Sequence, residues 1–153
     1  MELYFLRHGE ADWPDWKKPD DERPLTKHGK KEMGEVAAFL KRVKATPDLI
    51  LTSPLPRASQ TAEIAAERLK VKCHEDKLLA PGFGRPDLER LLKKYPEESL
   101  MIVGHEPDFS EVISELTGAS LKLSKAGIAL VDLNHSWRGG RLLWLFPPKI
   151  ATK

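Results

Sequence analysis

Two histidines and two arginines in this sequence stand just beyond short apolar runs. Leu3 to Leu6 is followed by Arg7-His8-Gly9-Glu10, and Asp48-Leu49-Ile50-Leu51 is followed by Thr52-Ser53-Pro54, with Arg57 one helical turn later. Leu100-Met101-Ile102-Val103 is followed by Gly104-His105-Glu106-Pro107. If the ends of these runs converge, the residues make a site for a tetrahedral oxyanion. Arginine donates two parallel hydrogen bonds from a planar fork and never loses its charge. A neutral imidazole is a nucleophile near neutral pH once one ring nitrogen is held by an acceptor and the other is free. A phosphoryl group in transfer spreads negative charge over its oxygens, so placed cations and N–H donors supply most of the catalysis. Taken singly, an arginine after a strand is usually a solvated rim charge, and a histidine in a Gly-His turn is usually structural. The same chemistry after three strong strands in succession is what separates this set from that background.

Such residues need a scaffold that brings several strand ends to one rim. The first apolar run reads as a buried strand. Ala11 to Leu25, rich in Pro, Asp and Trp, reads as an irregular loop. Thr26 opens a helical pattern with Met33, Val36, Ala37, Leu40 and Val43 on one face. After the second strand, Ser53 is expected as N-cap and Pro54 as first-turn proline of a helix running to about Leu69. A strand at Val71 follows, then a Gly/Pro loop from Ala80 to Pro86 and a helix to about Tyr95. Beyond the third strong strand, Pro107 starts a helix to Leu116. Ile128 to Leu133 and Leu142 to Phe146 form a closing pair around Arg138-Gly139-Gly140. Alternating strands and helices predict a three-layer α/β sandwich with a mostly parallel central sheet and an antiparallel last hairpin. In such sheets ligands bind outside the carboxyl ends of the strands.

The 153 residues are expected to form a single domain over 1–153. Hydrophobic residues are 41%, charged residues 31%, and the net charge is +2 with both signs interspersed, a balance that argues against nucleic-acid or membrane partners. One cysteine, Cys73, excludes an internal disulfide and fits a reducing compartment, with a half-buried strand thiol as its expected state. The first residues lack a leader-like pattern, and no stretch approaches the ~20 apolar residues of a membrane span, so a cytoplasmic location is expected. His8, His28, His74, His105 and His135 show no metal-ligand spacing. Neither a Walker-type loop nor a dinucleotide fingerprint is present, so neither metal nor cofactor is expected.

Four ordered segments resemble the histidine phosphatase superfamily, the phosphoglycerate mutase-like fold. They are Leu6-Arg7-His8-Gly9-Glu10-Ala11, Leu25-Thr26-Lys27-His28-Gly29, Thr52 to Ala62 around Arg57, and Val103-Gly104-His105-Glu106-Pro107. Trp144-Leu145-Phe146-Pro147-Pro148-Lys149 is similar to the tail of the SixA-type branch. The resemblance implies that His8 is a nucleophile forming a phosphohistidine. It also implies that Arg7, Arg57 and His105 hold the phosphoryl oxygens, with Gly9 and Arg23 as further binding positions, although Arg23 could instead simply pair with Asp20 or Asp21.

Mutase-like members carry a helical cap between the second arginine and the second histidine, and a glutamate general acid in a leucine–x–glutamate stretch. Here residues 58–104 are nearly all needed for the core, and Leu78-Leu79-Ala80 places Ala80 where the acid belongs. A capless pocket suits phosphate presented on a protein. A missing acid suits a leaving group that departs with little help, and imidazole, with a pKa of about 6.5, is one. The expected substrate is therefore a phosphorylated histidine on a histidine phosphotransfer domain or phosphocarrier. The alternatives are a small-molecule phosphomonoesterase of the same superfamily and a non-catalytic phosphate-binding module. Glu10 and Glu106 are the candidate general acid/base groups, each of which could equally cap a helix or pair with an arginine. Lys125 is a candidate for the rim, and Trp13 and Trp16 either dock a partner or plug their own loop.

Overall fold

Alternate residues of the first apolar run face opposite ways, and both faces are covered. The computed structural model describes residues 1–152. In β1 (Glu2–Arg7), Leu3 and Phe5 enter one buried cluster while Tyr4 and Leu6 enter the other. The same split holds in β2 (Leu49–Thr52) and β4 (Ser99–Gly104), as near-continuous apolar runs require in a sheet buried on both sides. With β3 (Cys73–Glu75), β5 (Ile128–Leu133) and β6 (Gly140–Phe146), one sheet forms in the order β3-β2-β4-β1-β5-β6. β3, β2, β4 and β1 pair in parallel; β5 runs antiparallel to both β1 and β6. The expected three-layer α/β sandwich is what the chain adopts.

Helices α1 (Lys27–Arg42), α2 (Pro56–Leu69) and the short α5 (Pro148–Ala151) cover one face. Helices α3 (Arg85–Lys94) and α4 (Asp108–Thr117) cover the other. Between α2 and β4 the chain holds only β3, a 3-10 turn at Lys77–Leu79 and α3, and no helical cap. No helix among the described residues is long and apolar enough to cross a membrane. Cys73 is half-buried, and burial pushes its thiol up to about 11.

Three local expectations shift. Val43 is not on the core face of α1 but at its C-cap, 48% exposed. The strand after α2 begins at Cys73, two residues later than Val71. Helix α2 starts at Pro56 with Leu55 as N-cap, so Ser53 does not cap it. Either Pro54 or Pro56 could open a helix, since first-turn N–H groups have no intrahelical partner; Ser53 is drawn instead into a long-range contact with His105.

Leu25-Thr26-Lys27-His28-Gly29 acquires a physical meaning here. Thr26 accepts from the Gly29 N–H at 3.0 Å as N-cap, and its own N–H donates to the Glu10 carbonyl at 2.9 Å. A Cβ built at Gly29 would stand 2.3 Å from that same carbonyl oxygen. Backbone cannot step aside as a side-chain tip can. Gly29→Ala should cost about 1–3 kcal/mol in urea unfolding and distort the segment after His8.

Candidate active site

Residues Arg7 and His8 leave the carboxyl end of β1, and their backbone is tied on both sides. The His8 N–H donates to Gly104 O at 3.1 Å, and Ala126 N donates to His8 O at 3.1 Å. The ring is held by a further contact: Nδ1 lies 2.7 Å from Gly9 O. A carbonyl only accepts, so Nδ1 carries the hydrogen and Nε2 keeps the free lone pair. Gly9 N in turn donates to Thr61 Oγ1 at 3.0 Å, and that hydroxyl donates to Arg57 O at 2.7 Å. Gly9 therefore orients His8, and its N–H is already engaged rather than free for a ligand.

His105, buried at the end of β4, places its ring centroid 5.3 Å from that of His8. Its Nε2 is 2.8 Å from the Ser53 hydroxyl, and its buried Nδ1 has no partner. Arg7 donates from Nη1 to Leu123 O at 2.9 Å, leaving its buried Nε unpaired. Arg57, 7% exposed near the start of α2, donates from Nη1 to Asp20 O at 3.2 Å, with Nη2 3.7 Å from the Asp20 carboxylate. Arg7, His8, Arg57 and His105 line one cavity of about 320 Å³, with Arg23 and Lys125 at the same wall. The convergence expected from three strand ends is present.

Burial, together with the neighbouring arginines, keeps both imidazoles neutral. His8 is lowered to about 4, chiefly by desolvation and despite the Gly9 contact. His105 is lowered to about 3 by desolvation and then by His8, Arg57 and Arg7. In the unfolded chain each titrates near 6.5. Between those values and 6.5 the unfolded chain binds the extra protons, so the stability is present above about pH 6.5 and is lost as pH falls toward 4. Urea midpoints should drop between roughly pH 7 and pH 5, and the drop should be smaller in His8→Ala.

The two glutamates separate. Glu10 does not line this cavity; its carboxylate lies 3.6 Å from His28 Nε2, in a neighbouring hollow with Glu32. Glu106 lines the cavity, but it accepts from Ser110 N at 2.8 Å on one oxygen and from Ser110 Oγ at 2.6 Å on the other, which caps α4. Arg23 reaches the mouth, donating from Nη1 to Ala11 O at 2.6 Å and from Nε to Asp20 Oδ1 at 2.8 Å. Both indoles of the 11–25 loop anchor it to itself: Trp13 Nε1 donates to Pro24 O and Trp16 Nε1 to Pro19 O, while Trp13 remains 40% exposed.

Two carboxylates escaped sequence reasoning, Asp12 and Asp108, and a third took on a second partner. Asp20 serves Arg57 as well as Arg23. Asp12 lines the cavity between Lys125, to which it is hydrogen-bonded, and Arg23 at 3.6 Å, and the Lys125 ammonium holds its carboxyl below the usual range. Asp108, in the first turn of α4, also lines the cavity and accepts from Gly82 N at 2.8 Å. Their only sequence signal was proximity to His8 or His105.

A family model described as the histidine phosphatase superfamily (branch 1) matches residues 3–85. The chain is 41% identical over 137 residues to an uncharacterized protein of Picosynechococcus sp., covering 84% of this chain and 82% of that protein. It is 28% identical over 146 residues to the phosphohistidine phosphatase SixA of Escherichia coli, covering 91% of this chain and 89% of the relative. The solved structure of the protein histidine phosphatase SixA complexed with tungstate matches with a TM-score of 0.85 at 27% identity, over 98% of this chain and 99% of that one.

Proposed function

The chain belongs to the histidine phosphatase superfamily, and from that premise we propose that it is a phosphatase that removes the phosphoryl group from phosphorylated histidine on a partner protein, by way of a phosphohistidine at His8. One observation carries this: His8 Nδ1 is committed to Gly9 O, which leaves Nε2 as a neutral nucleophile in a cavity shared with Arg7, Arg57 and His105. The 1–153 domain holds all four residues and is proposed to suffice for the reaction.

His8 Nε2 attacks phosphorus as the P–N bond to the substrate imidazole breaks. The bonding pair stays on the departing nitrogen, and with a proton on the other nitrogen of the substrate ring the leaving group is a neutral imidazole. Arg7, Arg57 and the His105 ring hold the equatorial oxygens as charge accumulates on them. Water then attacks the phosphoryl group on His8, the new P–N bond breaks back to Nε2, and inorganic phosphate leaves. No proton need be delivered to the leaving imidazole, as it must be to an alkoxide. That matters here because Glu106 and Asp108, the carboxylates beside His105, already accept hydrogen bonds from the chain's own donors.

The absence of a cap and the engaged carboxylates support phosphohistidine over small phosphomonoesters. The test is kcat/KM on a histidine-phosphorylated phosphotransfer domain or phosphocarrier against sugar phosphates. The phosphoprotein should be preferred by about 10²-fold or more, the order of rate supplied by a general acid. Preference for a sugar phosphate by a similar factor would establish the small-molecule phosphomonoesterase instead. No turnover of either would leave a phosphate-recognition module.

A further inference from the structure

The cavity sets the carboxylates Asp12, Glu106 and Asp108 beside its cations. Arg23 and Lys125 stand at the cavity wall, where they could grip a second negative group on a substrate, such as a carboxylate next to the transferred phosphate. Both are already paired. Asp12 is hydrogen-bonded to Lys125 and lies 3.6 Å from Arg23, and Asp20 holds Arg23 at 2.8 Å. Asp108 and Glu106 add negative charge from the β4–α4 side of the same cavity. Arg7 is the contrast: among the described residues no carboxylate lies within ion-pair distance of its guanidinium, and its Nε is unpaired.

We infer that Asp12 sets specificity by charge: it offsets Lys125 and, with Asp20, Arg23, so the site accepts a phosphoryl group whose neighbouring atoms carry no negative charge and rejects phosphorylated acids and bisphosphates. A phosphorylated imidazole meets that condition because nothing adjacent to its phosphorus is anionic. Asp12 is thus a specificity determinant and not part of the machinery that holds the phosphoryl oxygens. This deepens the phosphatase reading and rests on it for the identity of the group bound.

The experiment is calorimetric binding of inorganic phosphate and of 3-phosphoglycerate, a phosphate and a carboxylate on one small molecule. Removing the negative charge tightens both, and the doubly anionic probe more. In Asp12→Ala the affinity of 3-phosphoglycerate relative to phosphate should rise about tenfold, the order left once solvent screening discounts the direct interaction of two nearby charges. Asp12→Asn should shift the ratio as much as Asp12→Ala, because only charge is removed, whereas Asp12→Glu should keep the wild-type ratio. Adding Lys125→Ala to Asp12→Ala should cancel most of the gain. A ratio that moves less than about twofold in both neutral variants, or as far in Asp12→Glu as in Asp12→Ala, overturns the inference. Asp12 is exposed, so the variants fold, and the readout needs no turnover. Failure of the wild-type protein to hydrolyse phosphohistidine would sink the functional proposal while leaving this ratio measurable.

Discussion

Replacing His8 with alanine should abolish the labelled phosphoenzyme and lower turnover of an aryl phosphate by about 10⁴-fold or more. The size follows from the loss of the covalent route. Arg7, Arg57 and His105 would still bind phosphate, but the only remaining nucleophile is water that nothing in the cavity is placed to activate. The variant should remain folded, because β1 is anchored there by main-chain contacts, His8 N to Gly104 O and Ala126 N to His8 O, which do not involve the ring. The readout is a brief reaction with labelled substrate, denaturation in base, and then exposure to acid. A phosphohistidine survives the first and is lost in the second. A phosphoenzyme of undiminished amount in His8→Ala would remove His8 from the mechanism.

The second large effect is at Arg57. Arg57→Ala should lower kcat/KM by about 10²–10³-fold, the cost of deleting one aligned donor from a charge-stabilising pocket. Arg57→Lys should recover only part of this, because an ammonium keeps the charge but not the planar fork. Stability should change little in comparison. The partner left behind, the Asp20 carboxylate, is solvent-exposed and still bound to Arg23, so no buried charge is stranded. A loss of less than tenfold in Arg57→Ala would mean that Arg57 holds the 11–25 loop through Asp20 rather than the phosphoryl group. Urea midpoints measured on the same variants separate the two effects.

The charge pattern around the cavity changes how the small net charge should be read. A net charge of +2 gives no hint of an anion-binding protein. Locally, Arg57 is buried and Arg7 half-buried with its Nε shielded, while the half-buried Arg23 and Lys125 at the wall are matched by Asp12 and Asp20. Burial and pairing together do the discriminating. The same guanidinium acts far more strongly in the half-dry interior than at the rim.

By itself the sequence determined the layering and the four residues at the centre. Near-continuous apolar runs, helix starts such as Thr26, and the residue types at strand ends are local properties, written within a few positions of one another. A parallel sheet then brings the ends of β1, β2 and β4 to one rim without further instruction. Only the tertiary structure decided what each of those side chains touches. Ser53 left its expected helix cap for His105, a partner 52 positions away, and Asp20 reached Arg57 across 37 positions. Glu106 turned onto Ser110, and Glu10 faced α1 through His28. Such pairings carry no periodicity. They depend on how far apart the packed layers hold two backbones, and an exposed carboxylate takes whichever cation the fold leaves within reach.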